Sequence, residues 1–391
     1  MTYKGRTQAD IALNAIGLMS GTSLDGIDVA LLRSDGEAEL ERGPFLTVPY
    51  TDDFRKKLAQ ALQTALEIES RSDRPGNLSE IETELTDLHS DAVLEFLETY
   101  SLRASDIDLV GFHGQTIFHN PDKGITVQLG DGPRLANTLG MPVVYDMRAN
   151  DTANGGQGAP LAPAYHQALS ANLDPQWQGL NPVCFVNIGG ISNLTYIDGE
   201  NPPHAFDCGT GNVLIDQWVH EHTGEAFDKD GLIGSAGQIN HDIARRYIEP
   251  IASKLDRGIS LDRLDFKPLE KGQLSLEDGA KTFAHITAQL IAKSQGRLPK
   301  EPKLWVLSGG GRLNRTIVDE LHKVLDISPD SNEKRIIKSE DISISGDAVE
   351  AEAWGYLAIR SVKGLPLTYP TTTGVSGPCI GGVVQMPTKN S

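Results

Sequence analysis

Two stretches of this chain share one design: an apolar strand, a glycine turn, and a second strand that doubles back. The first runs from Ile11 through Gly21-Thr22-Ser23-Leu24-Asp25-Gly26 into an apolar, β-branched run at residues 27–32. The second carries the strand CFVNI through Gly189-Gly190 into ISNLTYI. Apolar runs bounded by glycine turns predict hairpins. Their recurrence at about half the chain length predicts two related domains, at residues 1–181 and 182–391, facing each other across a cleft.

Strands and helical stretches alternate around these hairpins. The first half adds a helical region at 53–100 and strands at DLVGFHG, TVQLG and PVVYD. The second half adds a helix after Gly211, one around 275–294, the strand KLWVLSGG, and helices at 313–324 and 348–362. Mixed α/β is the fold class this implies. Residues 68–77 and 255–271 read as exposed loops.

Composition removes several functions. With 53 acidic against 35 basic residues the formal charge is −18, which repels nucleic acid and anionic membrane surfaces. Any phosphate must then be held locally, by backbone N–H groups and a metal ion. Cys184, Cys208 and Cys379 form no C-x-x-C pair, so neither zinc nor a disulfide framework is expected. The absence of a cleavable leader and of an 18-residue apolar run makes a cytoplasmic protein the expectation. There is no Walker loop, nucleophile elbow, H-E-x-x-H or early G-x-G-x-x-G.

Six clusters carry chemistry. Gly21-Thr22-Ser23-Leu24-Asp25-Gly26-Ile27-Asp28 offers N–H groups and hydroxyls to phosphate oxygens, with Asp25 and Asp28 able to hold magnesium; a plain hairpin turn is the alternative. Asp207-Cys208-Gly209-Thr210-Gly211 follows an apolar run and opens a helix. Asp207 suits a general base, and the N–H groups after Gly209 and Gly211 suit an anion; turn capping is the alternative. Gly309, Gly310 and Gly311, after Ser308, permit close approach of adenine or ribose. The stretch 150–161, with Asn154 and Gln157, and the run 111–116, with His113, carry side chains of the kind that read sugar hydroxyls, or are ordinary polar loops. Asp347 and Glu350 fit a capping box at the last helix, where Glu350 is also placed for a second magnesium-directed carboxylate.

The ordered set GLMSGTSLDGIDVAL, GFHGQTIFH, RANDTANGGQGAPLAP, VNIGGISNL, FDCGTGN, LSGGGRLN and DAVEAEAWGYLA resembles the anhydro-N-acetylmuramic acid kinase family from about residue 16 to 383. The resemblance implies two ribonuclease-H-like lobes of the actin-like, sugar-kinase fold. It also implies ATP and Mg2+ as cofactors, a small anhydro-amino-sugar as partner, and a role in bacterial cell-wall recycling. By resemblance residues 21–28 are the ATP phosphate loop, Asp207 the base, and 308–312 neighbours of the nucleoside. Cys208 and Thr210 depart from the Thr and Pro frequent in relatives, without removing a reacting group. Other readings are a levoglucosan-type kinase, a nucleotide-independent glycoside hydrolase using Asp207 and Glu350, and an actin-like ATP-binding sensor. A homodimer is one assembly open to the chain.

Overall fold

The computed structural model describes residues 11–21, 23–257, 261, 266–267, 269–344, 346 and 348–388. They fall into two compact units. One comprises the described residues up to Asn172 and those from Ala348 onward; the other runs from Leu173 to Gly346.

In the first unit β1 (Leu13–Ser20), β2 (Gly26–Ser34) and β3 (Leu40–Pro49) form an antiparallel meander. On the other side of β1, β4 (Leu109–Asn120) runs parallel to it, and β5 (Ile125–Leu129) folds back on the end of β4. Parallel to β4 lies β6 (Val143–Tyr145). In the second unit β7 (Val183–Ile188), β8 (Ile191–Ile197) and β9 (His204–Thr210) repeat the meander, and β10 (Leu304–Ser308) and β11 (Arg335–Lys338) add parallel strands beyond β7. With β5 set aside, both sheets follow one order: third, second, first, fourth, fifth. This is the ribonuclease-H-like topology, present twice. In the first unit β12 (Val383–Gln385) extends the sheet antiparallel to β6.

The helix Ala348–Val362 explains why the units are not the two contiguous halves expected. Gly17 on β1 and Gly111 on β4 are register partners. A Cβ on Gly17 would stand 1.8 Å from the Ala351 carbonyl oxygen, and one on Gly111 2.2 Å from that of Trp354. The helix therefore rests directly on strand backbone, an approach only glycine permits. That seat, with β12 paired to β6, returns the chain's end to the first unit. The other boundary falls at 172/173 instead of 181/182.

Each unit has its own core. Ile16, Leu18, Val29, Phe54, Leu85, Phe96 and Val110 meet in the first; Val186, Leu214, Trp218, Phe283, Trp305 and Ile317 in the second. The helical region expected over 53–100 is two helices, Asp52–Thr64 and Leu78–Thr99. The Thr51 hydroxyl caps the first by accepting from the Phe54 N–H, a normal N-cap bond. The loop at 68–77 lies between them and is largely exposed, although Ile68 is buried. Much of 255–271 lies outside the described residues. Leu261 and Phe266 within it are buried in the second core, contrary to the expected exposed loop, because both are large apolar side chains.

Candidate active site

The hairpin connection between β1 and β2 presents the first cluster. The Leu24 N–H donates to the Gly21 carbonyl at 3.2 Å, and Leu24 takes a left-handed φ of 56° to close the turn. Ser23 and Asp25 are exposed, and the Ser23 hydroxyl donates to Asp25 Oδ1 at 2.6 Å. Below this crest the residues serve the sheet. A Cβ on Gly26 would meet the Val48 carbonyl oxygen at 2.5 Å, Ile27 is in the core, and Asp28 accepts from the Thr47 hydroxyl at 2.6 Å. Gln115 ties the turn to β4, accepting from the Ser20 hydroxyl at 2.6 Å and donating to the Gly21 carbonyl at 3.1 Å. Thr22 lies outside the described residues, as does Asp347.

His113, near the middle of β4, is buried. Arg148 Nε and Nη2 lie 3.3 and 3.2 Å from His113 Nε2. A guanidinium only donates, so Nε2 is the acceptor and the proton sits on Nδ1. Burial, then the charge of Arg148, holds this imidazole well below its ordinary pKa. The ring also lies 4.4 Å from Trp354, over which Arg148 stacks at 4.9 Å.

Burial brings Arg148 down to about 10, with Glu350 and Asp151 pulling the other way. Glu350 keeps an exposed edge, yet desolvation of its carboxyl raises its pKa, with Arg148 opposing. His113, Arg148 and Glu350 thus form one chain of interactions. The sequence put the first and third in the site; Arg148 stood unremarked at the head of RANDTANGG.

Asn154 and Gln157 are exposed, but their loop is firmly held. Asn154 donates to the Asn150 carbonyl at 2.7 Å, and the Gln157 N–H to that of Thr373 at 2.8 Å. Buried Asp151 accepts from the Gly158 N–H at 2.7 Å and from the hydroxyls of Thr373, at 2.6 Å, and Thr368.

In the second unit, Ser192 pairs with Gly209 but Asn193 with Asp207, leaving Cys208 as a β-bulge. Bulges re-aim side chains. Here Cys208 turns into the core while its neighbours Phe206 and Asp207 are both partly exposed. Asp207 Oδ2 accepts from the Leu261 N–H at 3.1 Å. Its pKa is raised by burial, with that hydrogen bond and Arg297 opposing. Arg297 stacks 3.7 Å over the Phe206 ring and donates to the Asp207 carbonyl oxygen at 3.3 Å. Among the described residues the hydrogen bond to this half-buried carboxylate comes from a backbone N–H, and its raised pKa is that of a group able to take up a proton. No sequence motif flagged Arg297.

The glycines around Asp207 are explained by packing. A Cβ on Gly211 would stand 1.9 Å from the Gly189 carbonyl oxygen, and one on Gly209 2.5 Å from Leu290 Cβ. On Gly309 it would be 2.4 Å from Asn187 Oδ1, and on Gly311 2.2 Å from Ile188 Cγ2. Gly310 is open, with Asn212 Nδ2 at 3.6 Å. These turns bring the carboxyl ends of β7, β9 and β10 together, where open α/β sheets bind ligands.

Among the described residues no three His, Cys, Asp or Glu side chains are grouped to hold a metal ion, and no helix is long and apolar enough to cross a membrane.

Two ribonuclease-H-like units, one with a polar hairpin crest and the other with an aspartate beside glycine-lined strand ends, define the actin-like, sugar-kinase class. Comparison with known proteins narrows it. The profile of the family described as anhydro-N-acetylmuramic acid kinase matches residues 13–387, and the chain belongs to that family. A relative from Rhizobium etli, named anhydro-N-acetylmuramic acid kinase, is 52% identical over 378 residues, covering 97% of this chain and all of that protein. One of the same name from Agrobacterium fabrum is 51% identical over 370 residues, covering 95% and 98%. Among solved structures, component A of the Acidaminococcus fermentans (R)-2-hydroxyglutaryl-CoA dehydratase is 13% identical with a TM-score of 0.44, covering 89% of this chain and 99% of that one.

Proposed function

We propose that this enzyme opens the 1,6-anhydro ring of anhydro-N-acetylmuramic acid with water while transferring phosphate from ATP to O6. The products are N-acetylmuramic acid 6-phosphate and ADP, and the setting is cytoplasmic cell-wall recycling. Family membership over residues 13–387 carries the reading, and the environment of Asp207 supports it.

Asp207 takes a proton from the water that attacks the anomeric carbon. The bond from that carbon to O6 breaks, O6 attacks the γ-phosphorus, and the bond to ADP breaks. The Leu261 N–H and Arg297 hold Asp207 in place without neutralising it. On the first unit, the N–H groups and hydroxyls of residues 21–28 receive the phosphates. Gly209, Gly211 and Gly309 to Gly311 form the nucleoside-side turns, with Gly310 the one open to close approach. His113, through its Nδ1–H, Asn154 and Gln157 are the sugar-side groups.

Magnesium, when bound, neutralises charge on the transferring phosphoryl group. Mg2+ keeps several waters and uses one or two carboxylates plus substrate phosphates, so the exposed Asp25 carboxylate beside the Ser23 hydroxyl fits it. Glu350 fits through its carboxyl, in competition with Arg148.

The test is product analysis by mass spectrometry on the anhydro sugar, with and without ATP. Sugar phosphate and ADP in equal amounts are expected. Ring opening without ATP would replace this reading with a glycoside hydrolase.

A further inference from the structure

Strands β1, β4 and β6 run parallel, so their carboxyl ends lie along one edge of the first sheet. The end of β1 leads into residues 21–28. Between the middle of β4, β5 and the end of β6 the same unit forms a partly open cavity of about 100 Å³, whose lining includes Arg71, Arg74, His113, Gln128, Tyr145 and Asp146. One water needs roughly 10–15 Å³ of such space, and a whole small-molecule pocket at least about 300 Å³. This cavity is sized for a side group.

Its charge is unusual for a chain of −18, since the lining has two arginines and a single carboxylate. Arg74 is fixed by a two-pronged pair with Glu82, both bonds 2.9 Å, and by the carbonyls of Arg71 and Asp73. Arg71 is less committed. Its Nε reaches the Thr126 carbonyl at 3.3 Å, its Nη2 pairs with Asp146, and its side chain is 42% exposed. Asp146 sits at a left-handed φ of 56°, directly after β6. An arginine fork matched to one exchangeable carboxylate is equipped to take another.

We propose that this cavity receives the carboxylate of the sugar's lactyl ether, and that Arg71 is the residue by which the enzyme distinguishes an acidic anhydro sugar from a neutral one. The proposal rests on the substrate reading above. In it the incoming carboxylate joins or replaces Asp146 on the Arg71 fork, Arg74 supplies a second positive charge, and the ring is left outside the cavity, beside His113. Neutral anhydro sugars make none of these contacts.

The experiment is calorimetric binding of 1,6-anhydro-N-acetylmuramic acid and of 1,6-anhydro-N-acetylglucosamine, which lacks the lactyl group, to the full chain and to Arg71→Gln and Arg71→Lys. A charge-assisted pair of this kind corresponds to about 10- to 100-fold in affinity. The unaltered enzyme should prefer the acid by that factor, Arg71→Gln should lose the preference with affinity for the neutral sugar unchanged, and Arg71→Lys should fall between. A preference surviving in Arg71→Gln, an equal loss for both sugars, or no preference in the unaltered enzyme would overturn the proposal. Each of these leaves the kinase reading standing if sugar phosphate still forms. Failure to phosphorylate the acid sugar with ATP would instead remove the kinase reading itself.

Discussion

The turns after β1 and after β7 occupy the same place in two sheets of the same order, yet they are built oppositely. After β1 the turn is long and polar, with Ser23 and Asp25 exposed and Gly21 in open surroundings, Ser23 Oγ being 3.6 Å from where its Cβ would lie. After β7 it is Gly189-Gly190, locked against Gly211, which donates its N–H to the Gly190 carbonyl at 2.9 Å. In the first unit, glycine at the turn leaves room for something from outside. In the second, it lets strand ends pack, and the group proposed for the chemistry is Asp207 on β9. Duplication supplied the frame twice, and different residues of it were put to use.

The largest effect expected from this contrast is at Asp207. Asp207→Asn keeps the Leu261 bond but cannot accept a proton, so kcat should fall about 10²- to 10⁴-fold. Stability should move the other way. The folded-state pKa of Asp207 is raised, so its contribution to stability is full at low pH, where it is protonated, and is lost as pH rises through the folded value. At pH 7 the amide removes that penalty, and Tm should rise. A fall in Tm with activity retained would make Asp207 a turn cap. Next is Arg297→Met, which frees the Asp207 backbone. A misplaced reacting group can cost roughly 10²-fold, and kcat should drop toward that with KM little changed; normal kcat would show that Arg297 is packing alone.

The two turns can be compared directly by adding one methyl to each. Gly211→Ala drives a Cβ into the Gly189 carbonyl and should cost about 1–3 kcal/mol in urea denaturation. Gly21→Ala should stay within about 0.5 kcal/mol while weakening ATP binding. Equal destabilisation would erase the distinction between an open turn and a packed one. The subtlest effect is on pH dependence. With the base raised above the ordinary aspartate value of about 3.9, kcat/KM should fall on the acid side at a pH above that value, and an acid limb at the ordinary position would remove Asp207 from the role.

How much could be read in advance follows from how local each feature is. Hairpins announce themselves through apolar runs and glycine turns, so the duplicated frame and the position of Asp207 at a strand end were legible. The seat of the Ala348–Val362 helix on Gly17 and Gly111 was not, because it joins residues more than two hundred positions apart and depends on side chains that are missing. Gly209, Gly309 and Gly311 read as ligand contacts when packing already requires them. Arg148 and Arg297 escaped for a related reason. An arginine earns its role from what lies beside it, and neither His113 nor Phe206 is near its arginine in the chain.

The proposed reaction turns on where water goes. In heavy-oxygen water, with the reaction quenched promptly and the product examined by mass spectrometry, the label should appear on the anomeric oxygen and be absent from the phosphate. In the proposed mechanism the Asp207-activated water attacks carbon, while the sugar's own O6 attacks phosphorus. Label in the phosphate group, with none at the anomeric position, would mean that water attacks ATP instead and that Asp207 does not do the chemistry assigned to it.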